Sequence, residues 1–166
     1  MCYLNKTKYC RNNTDYIFQE ALDHCRHKQV FHSNIHLVEL DKYKNKTFDE
    51  IYADIYKIYK NIKQIGSLTM YDITSAICRY YNINIDYVYI VGNGPKRAIQ
   101  LLNIKTESYT IKDKIEKIPK LKYVEIDSLK NAFQKNGYEN DLNETLKNTK
   151  NGDMWETFIC NWQKDK

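Results

Sequence analysis

The stretch TFDEIYADIYKIYKNIKQIGSLTMYDITSAI, residues 47–77, decides the fold of this chain. Its first half repeats isoleucine and tyrosine at intervals of three and four, which is the spacing of one face of an α-helix. Thr47 belongs to the residue types that cap helix N-termini. Gly66 interrupts the pattern, and a second helical pattern starts at Leu68 and Thr69. The sequence therefore predicts two consecutive helices joined by a short turn.

Helical patterns also occur in the rest of the chain. A helix is predicted over about 15–27, whereas residues 28–46 are expected to be irregular. Residues 83–91 are β-branched and aromatic, which leaves both a short strand and a buried extended turn open near 85–91. Further helical patterns occupy about 95–102, 111–118, 128–133 and 154–162, and an exposed loop or weak helix is expected over 138–152. We expect a mostly α-helical, compact single-domain bundle over residues 1–166, with the two-helix hairpin in a core at about 47–104.

The composition supports a globular helical domain. The chain has 166 residues, of which 42% are hydrophobic, so it can bury a core of ordinary size. Five glycines and two prolines are too few for the many tight turns of a β-sandwich or barrel.

The charge balance indicates which kind of partner to expect, and the cysteines indicate in which cell compartment the protein resides. The net charge is +5, from 26 basic and 21 acidic residues, which suits DNA or another polyanion as well as an ordinary basic surface. The five cysteines form no CxxC pair, as is usual for reduced thiols in a cytosol. No run approaches the roughly 18 apolar residues of a membrane span. We expect a cytoplasmic protein without a membrane or a cofactor, and the sequence identifies no protein partner.

The turn at Ile62–Met70 resembles the helix-hairpin-helix family, whose loop reads hydrophobic-x-x-hydrophobic-Gly-x-x-Thr. In that family the glycine supplies an unusual backbone conformation, and the N–H groups that open the next helix bind a DNA phosphate. The family loop usually has two glycines, and Gln64 stands here in place of the first. A purely structural turn between packed helices is the alternative. The residues that the resemblance places at phosphate are Lys63, Gly66, Ser67 and Thr69.

A second loop, Val91–Ala98, combines two glycines, a helix start and two cations. Backbone donors and the positive end of a helix dipole favour an anion there. The alternative is an ordinary helix cap with solvated cations. The loop lacks the GK[ST] of a phosphate-binding Walker loop. The candidate phosphate-binding residues are Gly92, Asn93, Gly94, Lys96 and Arg97.

The broader segment from Tyr52 to Leu102 resembles the helix-hairpin-helix DNA glycosylase superfamily. It is also similar to small, uncharacterised bacterial proteins with a hairpin, an LT-x-YD stretch (here residues 68–72) and a later glycine-rich segment. Bifunctional glycosylases place a catalytic lysine where this chain has Leu68, so the Schiff-base nucleophile is missing. Their catalytic aspartate, some eighteen residues further on, corresponds to Asp86. Asp72 is a second candidate carboxylate, with a helix-dipole role as its alternative.

The histidines cluster in the first quarter of the chain. His24, His27, His32 and His36 lie close together with Cys25 among them, and these residue types bind zinc. Their spacing matches no zinc motif, so we predict no metal site and keep the four histidines as weak candidates only.

Three functions remain open from the sequence. The leading hypothesis is a nucleic-acid-associated protein that contacts the phosphate backbone through the hairpin and the glycine-rich loop. The alternative is a base-excision or nucleotide-acting enzyme that uses Asp86 or Asp72. A further alternative is a non-catalytic interaction module whose C-terminal helix, with Trp155 and Trp162, docks a partner rather than packing on its own core.

Overall fold

The structure is a computed structural model that describes residues 16–109 and 121–166. They fall into two compact units, one within Met1–Ile83 and one within Asn84–Lys166. The described residues form eight α-helices and one three-stranded sheet. The predicted mostly helical fold is therefore confirmed. In the described part of the chain, every helix is too short or too polar to cross a bilayer.

Within residues 16–83, the N-terminal unit contains four complete helices and two short turns. They are α1 (Gln19–His24), α2 (Lys28–Asn34), two 3₁₀ turns (Ile35–Leu37 and Leu40–Tyr43), α3 (Phe48–Tyr59) and α4 (Ser67–Tyr80). The expectation that residues 28–46 are irregular is wrong. Phe31 and Ile35 are both buried and lie one helical turn apart, so a single apolar contact per turn suffices to fix α2.

The long helix α3 begins where the sequence predicts. Thr47 caps it in a capping box: its Oγ1 accepts the Glu50 N–H at 3.4 Å, and its own N–H donates to the Glu50 carboxylate at 2.8 Å. This backbone hydrogen bond lowers the pKa of Glu50. Helix α3 packs against α4. The two predicted helices and the turn between them are thus present as a packed pair.

The turn between α3 and α4 differs from the expectation for its glycine. Gly66 has φ −102° and ψ −179°, an extended conformation open to any residue. The left-handed conformation belongs instead to Gln64, with φ +73°. This is the position at which the helix-hairpin-helix loop usually carries its first glycine. The turn therefore contains one residue in the left-handed conformation, and this residue is Gln64 rather than a glycine, which costs some backbone strain.

The C-terminal unit surrounds a small antiparallel sheet. It contains β1 (Val88–Tyr89), α5 (Asn93–Leu101), β2 (Glu107–Tyr109), β3 (Leu121–Val124), α6 (Ile126–Lys135), a 3₁₀ turn (Glu139–Asp141), α7 (Glu144–Asn148), α8 (Gly152–Trp162) and a final 3₁₀ turn (Gln163–Asp165). The strand order is β1-β3-β2, with Val88 opposite Val124 and Glu107 opposite Tyr123. The extended segment expected near 85–91 is present as β1. The helix predicted at 111–118 lies outside the described residues.

The core of this unit lies on one face of the sheet. Val88 and Val124 pack there with α5, α6 and α8. The rings of Phe133 and Trp162 lie 4.8 Å apart, and those of Phe133 and Trp155 6.1 Å apart. Trp155 is 0% and Trp162 7% exposed. Both tryptophans of the C-terminal helix are thus packed inside its own unit.

The start of α8 is pressed against the chain just before β1. The Gly152 N–H donates to the Ile85 carbonyl at 2.6 Å. A Cβ at position 152 would lie 1.9 Å from the Tyr87 carbonyl oxygen. Since the obstacle is backbone rather than a flexible side chain, only glycine fits here.

We expect Gly152→Ala to destabilise the protein by about 2 kcal/mol or more, because the backbone must shift to admit the methyl group. Urea unfolding followed by far-ultraviolet circular dichroism measures the change. Gly66→Ala is the matched control, since nothing lies within 4 Å of its added Cβ. That control should lose less than about 1 kcal/mol, the scale of a helix-cap change. Equal losses in the two variants would contradict this account of Gly152.

Two buried tyrosines of α3 provide a second test. The Tyr59 hydroxyl donates to the Asn34 carbonyl at 3.1 Å, whereas the Tyr52 hydroxyl is buried without a hydrogen-bond partner among the described residues. Tyr59→Phe should therefore cost about 1 kcal/mol, whereas Tyr52→Phe should be neutral or stabilising. Thermal unfolding of both variants at neutral pH makes the comparison.

The same tyrosines predict a loss of stability in alkali. Burial raises the pKa of Tyr52 to about 12, from an ordinary value of 10.0. The unfolded chain therefore releases this proton at a lower pH than the folded one, and stability falls as the pH rises above 10. Tyr52→Phe should weaken this fall, measured as the unfolding midpoint between pH 9 and pH 11. An unchanged slope would show that Tyr52 ionisation is not linked to unfolding.

Candidate functional site

A groove in the N-terminal unit lies where α1 packs against α4. Its volume is about 510 Å³. Helix α1 is short, and it is held by Ala21 and Leu22, which are buried. The opposite side of α1 is left to solvent and forms one wall of the groove. The charged and aromatic side chains that line it are Tyr16, Glu20, Asp23, His24, Arg79 and Tyr80.

Two residues that the sequence singled out separately meet beside this groove. His24 Nδ1 lies 4.0 Å from Asp72 Oδ2. The His24 side chain is 59% exposed and lines the groove, whereas the Asp72 side chain is 17% exposed. A carboxylate next to one imidazole nitrogen orients the ring and leaves the other nitrogen for proton transfer. Asp72 lies in the second turn of α4, beyond the first turn in which a dipole role is strongest.

The groove carries both signs of charge. Arg79 forms an ion pair with Glu20, from the opposite wall. Asp23 lies 3.6 Å from the Lys28 ammonium group and accepts a hydrogen bond from Gln19 at 3.2 Å. Such a mixture suits a small zwitterionic or polar ligand better than a simple polyanion.

At the turn before α4, backbone N–H groups are available to a ligand, whereas the side chain of the predicted residue Thr69 is not. Thr69 is 8% exposed, and its hydroxyl donates to the buried Cys25 thiol at 3.6 Å. Gly66 caps the helix without a side-chain hydrogen bond, so the first backbone N–H groups receive no side-chain cap. Lys63 and Ser67 are exposed next to them.

The glycine-rich loop opens α5 in the C-terminal unit. Gly92 caps the helix without a side-chain hydrogen bond. Lys96 and Arg97 are exposed and form no ion pair with any described residue. Gly94 has a packing role as well, since a Cβ there would lie 2.5 Å from the Cys160 Sγ of α8. The loop thus presents two cations next to a helix N-terminus that is seated on α8.

In the structure, Asp86 is not part of the α1–α4 groove, the turn before α4 or the glycine-rich loop. Asp86 is exposed and accepts a hydrogen bond from the Asn84 side chain at 2.7 Å. Asn84 also donates to the Lys150 carbonyl at 3.4 Å. The surroundings of Asp86 are those of a surface loop carboxylate.

The histidines are spread over several elements. His24 ends α1, His27 precedes α2, His32 lies within α2 and His36 lies in the following 3₁₀ turn. Across residues 16–109 and 121–166, no three histidine, cysteine or carboxylate side chains converge as metal ligands would.

Sequence reasoning missed a second groove, of about 680 Å³, beside α7 and α8. Asp141 accepts a hydrogen bond there from Trp162 Nε1 at 2.7 Å and lies 2.9 Å from the Lys166 ammonium group. The Trp162 hydrogen bond is the larger cause that lowers the pKa of Asp141, followed by the Lys166 hydrogen bond. The sequence held only an indirect signal for this groove, a tryptophan that needs a hydrogen-bond acceptor.

Comparison with known proteins gives one match. No curated protein and no solved structure matches the chain. The glycosylase superfamily suggested by the sequence is therefore not among the relatives found. A family model described as amino acid:DNA transferase matches residues 2–166, nearly the whole sequence, and this family is related to nucleic acids as the sequence led us to expect. The chain belongs to the amino acid:DNA transferase family.

Proposed function

We propose that this chain attaches an amino acid to DNA. The observation that carries the proposal is the family match, which extends over both compact units. The net charge of +5 agrees with a polyanionic substrate. The proposal makes the chain an enzyme and combines two of the hypotheses drawn from its sequence, nucleic-acid binding and chemistry on a nucleotide.

The glycine-rich loop before α5 is proposed as the first contact with the DNA backbone. The exposed cations Lys96 and Arg97 lie in the first turns of the helix, where its dipole also favours a phosphate. Gly92 and Asn93 leave the approach to this turn free of bulky side chains. Contacts of this kind position DNA without reading its sequence.

The turn before α4 is proposed as the second contact. The space around Gly66 is open, so a phosphate can approach the backbone N–H groups of Ser67 and Leu68 closely. Lys63 supplies a nearby positive charge. Thr69 contributes here only through its backbone, since its side chain is buried.

Asp72 is preferred over Asp86 as the carboxylate that takes part in the reaction. Asp72 stands beside an imidazole at the edge of a groove, whereas Asp86 pairs with the Asn84 amide on the surface. The interaction-module alternative gains no support from the two tryptophans, because both are buried within their own unit.

We expect the double variant Lys96→Ala, Arg97→Ala to bind DNA about tenfold or more weakly than the wild type. Each lost phosphate contact should also reduce the slope of log affinity against log salt by about 1. Fluorescence anisotropy with single-stranded and duplex oligonucleotides at several salt concentrations measures both quantities. The matched control is Lys130→Ala, Lys135→Ala on α6, which removes the same charge elsewhere and should leave the affinity within about twofold. Equal weakening in both pairs would show that only net charge matters.

The transfer activity itself is tested with labelled amino acids. Wild-type protein is incubated with ¹⁴C-labelled amino acids and with DNA extracted from the genome that encodes the chain. Label should then appear in the DNA fraction and persist after protease and denaturant treatment. Nuclease digestion and mass spectrometry should show nucleosides heavier by an amino-acid residue. DNA that stays unlabelled with each of the twenty amino acids would contradict the proposed function.

A further inference from the structure

We infer that His24, oriented by Asp72, is the general base that removes a proton from the amino group of the amino acid bound in the α1–α4 groove. This inference deepens the proposed function and rests on it. His24 is then a catalytic residue, because it contacts the substrate. Asp72 is a positioning residue, because it acts through the imidazole ring.

The chemistry of the transfer calls for such a base. An α-amino group is largely protonated at neutral pH and has no lone pair in that form. A carboxylate is a poor electrophile until it is activated, whereas a neutral amine is a nucleophile as it stands. An enzyme that joins an amino acid to DNA through nitrogen must therefore accept a proton close to the bound amine.

The geometry provides the base at the groove. Asp72 lies 4.0 Å from Nδ1 of His24, so the proton of a neutral ring is favoured on Nδ1 and Nε2 is left as the acceptor. His24 lines the groove, and Asp72, which is less exposed, is in contact with the His24 ring without lining the groove itself. A separation of 4.0 Å is longer than a hydrogen bond, and such distances often tighten once a ligand is bound.

The remaining charges of the groove suit an amino acid. Arg79 has five N–H donors in a planar fork, so it can bind a substrate carboxylate while it keeps its ion pair with Glu20. The acidic side chains on the α1 wall favour the ammonium group before it loses its proton. Among residues 16–109 and 121–166, the charged groups around His24 are Glu20 and Asp23 on α1, Asp72 and Arg79 on α4, and Lys28 on α2, which pairs with Asp23.

The proposed step is a proton transfer from the bound amino acid to His24. The N–H bond of the ammonium group breaks, its electron pair stays on nitrogen, and the proton passes to Nε2 of His24, whose positive charge Asp72 offsets. The transfer leaves a neutral amine whose lone pair is available, which is the nucleophilic form that the proposed attachment to DNA requires, and His24 later returns the proton to water.

The test compares His24→Gln and Asp72→Asn with the wild type in the transfer assay across pH. His24→Gln should lower the rate at pH 7 by about 100-fold, the lower end of general-base effects, and Asp72→Asn by about tenfold. The deficit of His24→Gln should narrow as the pH rises, because the free amine becomes available without a base. DNA affinity should stay at the wild-type value in both variants, unlike in the Lys96, Arg97 variant.

His36→Gln is the matched control. It removes an exposed histidine outside the groove and should transfer at the wild-type rate. If His24→Gln keeps more than half of the wild-type rate with an unchanged pH profile, the inference is overturned while the proposed function stands. A wild-type protein that never labels DNA would instead overturn the proposed function, and the inference with it.

A measurement without DNA tests the pair itself. In ¹⁵N-labelled protein at pH 8, the ring nitrogen shifts of His24 should show the proton on Nδ1, and Asp72→Asn should shift this tautomer balance. Identical ring shifts in the wild type and in Asp72→Asn would show that Asp72 does not orient His24, which would also overturn the inference.

Discussion

The C-terminal unit depends on the contact between the Gly152 backbone and the chain segment that precedes β1. The Gly152 N–H donates to the Ile85 carbonyl, and the Asn151 side chain caps the same helix start by accepting the Asp153 N–H. Because α8 begins there, its inner face meets the sheet face that carries Val88 and Val124, and the core closes over them. Helix α5 then packs on α8, which sets the position of its N-terminal loop. The position of the proposed phosphate contact thus depends, through α8, on the contact between Gly152 and the segment before β1.

The N-terminal unit is organised by aromatic side chains rather than by a backbone contact. Tyr43, Tyr52, Tyr59 and Phe31 are all buried, and the Phe31 ring lies 6.2 Å from the Tyr59 ring, which joins α3 to α2. Tyrosine brings a large apolar ring at the cost of a hydroxyl that must find a partner. Tyr59 finds one at a backbone carbonyl. The short helix α1 packs on α4, and this contact places His24 beside Asp72.

Local patterns in the sequence predicted the longer helices, because their apolar faces repeat over several turns and their caps are typical. The same reasoning failed for α2, which a single buried turn stabilises. It also missed β2 and β3, because strands of three and four residues carry little periodicity and form only through pairing with distant residues. The candidate site shows the same division. The sequence singles out both Asp72 and His24, but only the packing of α1 on α4 brings them together. No local sequence pattern predicts the left-handed backbone conformation of Gln64.

The close approach of α5 and α8 has an evolutionary consequence. A Cβ at position 94 would meet not only the Cys160 sulfur but also its Cα at 3.3 Å, so the two positions share one volume. A relative with a larger residue at 94 has to take a smaller one at 160 and shift the backbone there by a few tenths of an ångström, or let the helices move further apart and carry the glycine-rich loop outward. The two positions should therefore change together during descent, and the loop should keep its place only in lineages where their combined size is held constant.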